Sequence, residues 1–160
     1  MFIMTNWAKF LESDPALGQF ARTRLVGRIA YLATSRADGS PRVHPVSPFI
    51  AGDHLFVYME PTSPKVFDLR RDSRYALHCS VEDNSGGQGE SLIRGKAHEI
   101  TDSAMKTAAF ESALAMGYNP LERYVLFELM IGEAMSTVYE DGEPKRARWR
   151  ASNRGRLERS

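Results

Sequence analysis

The sequence predicts a mainly β fold, an antiparallel β-barrel with peripheral helices, and three observations lead there. Short apolar and aromatic runs recur along the chain between Gly, Pro, Asp and Ser clusters, giving about eight strands. Most neighbouring runs are close enough to pair as hairpins. Segments with helical period are confined to the N-terminus, to the stretch after the third strand and to the stretch after the fifth. Strands this numerous leave fewest open edges when the sheet curls closed.

The elements follow in order. Residues 1–25 form a helical N-terminal segment: Trp7, Phe10 and Leu11 share one face, and Ser13 and Asp14 before Pro15 start a second helix that runs to about Leu25. From Gly27 the period changes to that of strands. RIAYLATS, the Asp38–Gly39 turn, RVHPVSPFI, a second turn at Gly52 and Asp53, and GDHLFVYME make a three-strand meander. Pro45 and Pro48 lack ladder donors, which marks the middle strand as an edge or an interrupted strand. Within it Arg42, His44 and Val46 point one way, and Val43, Pro45 and Ser47 the other.

SPKVFDLRR reads as a short helix and RYALHCSVE as a strand. DNSGGQG is a hairpin loop, because the Lys-Ser/Thr ending and following helix of a phosphate loop are missing. ESLIRGKAHEI is the next strand, with Gly95 at a bulge; Asp102 or Ser103 opens a helix that Gly117 ends. RYVLFELMI, EAMSTVYED and KRARWRA close the fold as three strands, the first two joined near Gly132 and the last two by DGEP. Residues 152–160 read as a flexible tail.

At 160 residues the chain forms one domain, 1–160, large enough to bury a core without staples. Its single cysteine, Cys79, excludes an internal disulfide framework and fits a reducing compartment. The N-terminus lacks the pattern of an export signal and no segment has the length of a membrane span, so a cytoplasmic protein with no membrane partner is expected. Residues 145–160 hold seven Lys or Arg against one Glu, which leaves the remainder net acidic. That basic end offers only Trp149 for base stacking, so nucleic acid is not the expected partner.

Side-chain chemistry is sparse. The four histidines sit on four different predicted strands without ligand spacing, so no metal is expected. No serine occupies a nucleophile elbow, and Glu60, Asp68, Asp72, Glu82 and Asp83 read as solvated turn and helix-surface residues. No acid/base pair stands out, which shifts the chemistry to a bound cofactor.

Lys65 supplies the clue to that cofactor. It lies in the first turn of a helix, where the macrodipole disfavours a cation, and a bound anion would resolve the conflict. Ser63 is a natural N-cap, Pro64 fits the first helical position, and the N–H groups of Lys65 and Val66 are expected to face outward. Arg42 is the second cation, with a fork suited to phosphate.

Through YLATSRADGSPRVHPVSPFIAGDHLFVYMEPTSPKVFDLRRDSRYALH, and more faintly through IRGKAHEI and the LFEL to RARWR ending, the chain resembles the pyridoxamine 5'-phosphate oxidase-like flavoproteins of the FMN-binding split-barrel fold. The resemblance implies an antiparallel split β-barrel and a homodimer with FMN at the subunit interface. It also implies flavin-dependent oxidoreductase activity on a small-molecule substrate. By position it assigns Arg42, Val43, His44, Pro45 and Val46 to the flavin, Tyr58 and Met59 to the ribityl chain or ring, Ser63 and Lys65 to the phosphate, and Trp149 to closure over the ring or to barrel packing. Pro64 replaces a second cation of the oxidases proper. Glu90 lies where those enzymes tend to present a glutamine, and the C-terminal segment lacks their substrate-binding ending. These departures argue against vitamin B6 as substrate. Related split barrels bind F420 or haem, so both are alternatives to FMN, as is a flavin carrier without turnover.

Overall fold

The described residues form four helices and eight strands, and side-chain caps start three of the helices. The structure, a computed structural model, describes residues 3–152; the predicted tail from 153 onward lies outside them. Helix α1 (Trp7–Ser13) starts where Asn6 accepts from the Lys9 N–H, and α2 (Pro15–Leu25) where Asp14 accepts from the Leu17 N–H with Pro15 leading. Strands β1 (Ala30–Ser35), β2 (Pro41–Val46), β3 (Phe49–Ala51) and β4 (His54–Met59) precede α3 (Pro64–Arg71). Then come β5 (Arg74–Cys79), β6 (Glu90–Glu99), α4 (Ser103–Ala115), β7 (Val125–Glu140) and β8 (Glu143–Arg150). Asp102, rather than Ser103, caps α4 through the Met105 N–H at 2.8 Å.

Every ladder is antiparallel, in the order β2-β1-β5-β6-β7-β4-β3, with β8 also on β7. Among the described residues no ladder closes the sheet, as full edge removal would require. Its two outermost strands, β2 and β3, are instead consecutive in the chain, so the Ser47–Pro48 link carries the chain from one end of the curl to the other. One edge of β7 is split: Val125–Glu128 pair with β4, Ile131 bridges Thr5, and Glu133–Glu140 pair with β8. The expected mainly β split barrel with peripheral helices is what the chain forms.

Two expectations need correction. RVHPVSPFI is two strands, because Pro48 ends the ladder between them. RYVLFELMI and EAMSTVYED are one continuous strand, β7, with no turn at Gly132. A Cβ at Gly132 would lie 3.0 Å from Met4, so this glycine lets the N-terminal segment approach the strand. Across the ladder Gly95 sits at the predicted bulge, where a Cβ would lie 1.8 Å from the Met130 carbonyl oxygen.

The inward faces build one core around Phe10, Leu32, Leu77, Ile93, Phe127 and Leu129. Burial of each such side chain contributes about 1.5–3 kcal/mol. A smaller cluster of Phe49, Phe56, Ala109, Ala113 and Leu126 seats α4 on the outside of the barrel.

Candidate functional site

The β1–β2 hairpin and the start of α3 bring the predicted anion-binding side chains together. Thr34 on β1 and Arg42 on β2 are cross-strand partners, as are Leu32 and His44. Leu32 is fully buried in the core, so His44 and Arg42, on the same side of β2, lean toward the barrel and α3.

Asp68, one turn into α3, receives them. It is 3% exposed and accepts from Thr34 Oγ1 at 2.8 Å, Arg42 Nε at 2.7 Å and Arg71 Nη2 at 3.2 Å. Burial pushes its pKa up, but the bonds from Thr34, Arg42 and Arg71 together outweigh that and hold it below the usual carboxylate range. Asp68 is therefore not the solvated helix-surface residue that the sequence suggested. An arginine and a threonine side by side and facing inward across a tight hairpin are the sequence signal for a buried acceptor, and Asp68 is that acceptor. Its bond uses Nε of Arg42 and fixes the guanidinium by one edge.

Lys65 and His44 hold the unmet demand. The Ser63 hydroxyl makes no cap bond, unlike the side chains of Asn6, Asp14 and Asp102; it accepts from Lys65 Nζ at 2.9 Å. The Val66 N–H, expected to face outward, donates to the Ser63 carbonyl at 3.0 Å. Lys65 is half-buried, and that burial pushes its ammonium pKa down. His44 Nε2 is buried and without a partner among the described residues. Burial first, then the charges of Lys65 and Arg42, push the His44 pKa below its ordinary value, with Asp68 opposing. Lys65 and Arg42 thus both press on His44, and the nearby carboxylate of Asp68 already has three donors.

Beside them lies a cleft of about 460 Å³ whose lining includes Arg36, Arg42, Thr62, Phe67, Asp68 and Arg71. Phe67 is 55% exposed and presents its ring there. Asp38, also in the lining, is engaged by the Ser40 hydroxyl at 2.6 Å and the Ser40 N–H at 2.9 Å.

The other predicted site residues are dispersed. Val43, 61% exposed, and Pro45 point outward from β2. Val46 and Met59 are buried in the main core. Tyr58 packs on the opposite side of β4, with its ring stacked on Phe49 at 5.4 Å, in the cluster under α4. Trp149 packs against the core with its ring 4.7 Å from that of Phe10, which is barrel packing. The structure also brings together an acid and a base that the sequence did not pair: His54 Nδ1 and Glu128 Oε1 lie 2.5 Å apart. Among the described residues no group of three or more His, Cys, Asp or Glu could hold a metal ion, and no helix is long and apolar enough to cross a membrane.

Fold and site together define a split β-barrel with a basic cradle at the start of α3. No family model matches the chain, and no curated protein does. Solved structures share its fold. A heme-binding protein from Mycobacterium smegmatis aligns with TM-score 0.63 at 17% identity, over 82% of this chain and 57% of that one. The heme storage protein HutZ from Vibrio cholerae aligns with TM-score 0.54 at 15% identity, over 86% of this chain and 93% of that one. An F420 reductase aligns with TM-score 0.54 at 16% identity, over 71% of this chain and 94% of that one.

Proposed function

We propose that the protein is a flavin-dependent oxidoreductase of the pyridoxamine 5'-phosphate oxidase-like kind. It holds FMN with the phosphate at Ser63, Lys65 and Arg42 and the ring along β2 from His44 to Val46. The observation that carries this reading is the crowding of Lys65, His44 and Arg42 with His44 Nε2 left unpartnered. A buried polar atom without a bond costs about 1–3 kcal/mol, and an anion between these groups removes that cost while offsetting their repulsion. The residues fit the group chemically: a cation with lowered hydration, a hydroxyl released from capping, a guanidinium anchored through one edge, and the N-terminus of α3. When bound, the flavin ring supplies the hydride acceptor and donor; the chain's own groups bind and orient it.

A homodimer belongs to the same reading. Ile29, Tyr31 and Val43 are 48%, 44% and 61% exposed on the β1–β2 side of the barrel, next to the cradle. Apolar surface of this kind is what a second copy would cover.

F420 is the second reading, favoured by the arginine-lined cleft next to the cradle, which would receive a longer anionic extension than FMN carries. Side-by-side titration of the purified protein with FMN, F420 and hemin, followed by fluorescence quenching and visible absorption, tests both. Saturable FMN binding is the expected result. Tighter F420 binding transfers the cradle to F420, and saturable hemin binding with neither flavin overturns both.

A further inference from the structure

The outer face of β7 carries a carboxylate among apolar neighbours. Glu128 lies between Leu126 and Met130 at two-residue spacing and is 7% exposed. Moving a carboxylate out of water costs several kcal/mol unless a strong donor meets it. His54, at the start of β4, is that donor: its Nδ1 lies 2.5 Å from Glu128 Oε1. The pairing fixes the ring and commits Nδ1 to the carboxylate, which leaves Nε2 as the ring nitrogen open to a ligand. None of the described hydrogen bonds uses Nε2, and the His54 side chain keeps 28% exposure.

The pair lines a cleft of about 860 Å³ between the barrel and the N-terminal segment. Backbone bonds fix that segment. Thr5 and Ile131 exchange N–H to carbonyl bonds of 2.9 and 2.8 Å, and the Ala8 N–H donates to the Asp53 carbonyl at 3.1 Å. Ile3, Met4 and Met130 add apolar wall to the cleft, and Lys9 of α1 adds a cation. Methionine thioethers make favourable contacts with aromatic rings. The other ionisable group of α1 in the lining is Glu12. His98 is the β6 partner of Glu128 in register and is exposed. Tyr75, in the barrel interior, has its hydroxyl engaged by the Met130 carbonyl at 3.0 Å and does not compete for Glu128.

We propose that the His54–Glu128 cleft is a second small-molecule site, separate from the cradle at α3, which binds phenols and takes the phenolic proton onto His54 Nε2. The O–H bond of the phenol breaks and an N–H bond forms at Nε2, with no electron transferred and no other group consumed. The phenolate remains beside the imidazolium it has created. Glu128 offsets the new charge on the ring, Lys9 adds positive charge to the same cleft, and the methionines contact the aromatic ring.

The probe is p-nitrophenol, whose neutral and ionised forms differ in colour. Full-length protein is titrated at a pH below the pKa of the free phenol, with circular dichroism of every variant. Wild type is expected to generate a saturable phenolate band. His54→Gln removes that band, and Glu128→Gln weakens it about tenfold or more, the worth of a charge-assisted hydrogen bond. Lys65→Ala leaves it unchanged, which separates this site from any cofactor at α3. No saturable phenolate band in wild type, or an equal band in His54→Gln, overturns the proposal. Should Glu128→Gln fail to fold, those two titrations still decide.

Discussion

Replacing Lys65 with alanine separates a binding residue from a structural one, because the two roles move two measurements differently. In the free protein Lys65 donates one hydrogen bond, to Ser63, worth about 0.5–1.5 kcal/mol net. Against that stand its partial desolvation and its repulsion of His44, both relieved by the substitution. The free protein should therefore lose less than about 1 kcal/mol, which moves Tm by about 2–4 °C at this chain length. Toward a phosphate the same ammonium makes a charged hydrogen bond of about 1.5–3 kcal/mol, so the FMN dissociation constant should rise by about 10- to 150-fold. Fluorescence quenching gives the constant and differential scanning calorimetry the melting temperature. An unchanged constant removes the phosphate from α3. A raised constant together with a fall in the free-protein Tm well beyond 4 °C assigns Lys65 to the scaffold instead.

Four further outcomes follow from the same neighbourhood and from the barrel wall. His44 has a folded-state pKa below its ordinary value, so the unfolded chain binds the extra proton; the free protein should lose stability as pH falls through about 6.5, and His44→Gln should flatten that loss in urea titrations at several pH values. A bound anion raises the His44 pKa, so FMN binding should take up a proton that calorimetry in buffers of different ionisation heat detects in wild type and not in His44→Gln. Asp68→Asn removes the charge that anchors Arg42, Thr34 and Arg71 and should cost about 3–5 kcal/mol in urea unfolding; a loss under 1 kcal/mol would show that Asp68 does not hold this cluster. Gly95→Ala drives a Cβ into the Met130 carbonyl and should cost more than about 3 kcal/mol, and a wild-type Tm for that variant would refute the bulge geometry.

What the sequence made legible was local. Asp14 with Pro15, Asp102, and the Asp38–Gly39 turn each specify their element by a side chain or a backbone preference within a few residues. Alternation along β2 correctly put Arg42 and His44 on one side, and a lysine in the first turn of α3 pointed to the place where the cations gather. Gly132 misled because a glycine in a strand reads as a break, whereas here it admits Met4 from a distant segment. Asp68 and the His54–Glu128 pair were hidden for a related reason. A carboxylate looks solvated until its donors are known, and two of the three donors to Asp68 lie 26 and 34 residues upstream while that of Glu128 lies 74 residues away.

The two buried carboxylates meet their burial in opposite ways. Asp68 has three donors, two of them arginines, and its charge is more than answered; Lys65 adds a further positive charge toward His44, whose Nε2 is left without a partner among the described residues. Among the described residues Glu128 has a single partner, His54, and the two side chains line a cleft together. Stability alone explains neither arrangement, since well-packed apolar side chains at such positions are often as stable as buried ions or more so. A chain that keeps excess positive charge at one place and an oriented imidazole at another holds local conflicts that a ligand can relieve. An anion relieves the first, a weakly acidic hydroxyl the second. Because the two chemistries differ, loss of one site by substitution should leave the other intact, and Lys65→Ala and His54→Gln test that independence in both directions.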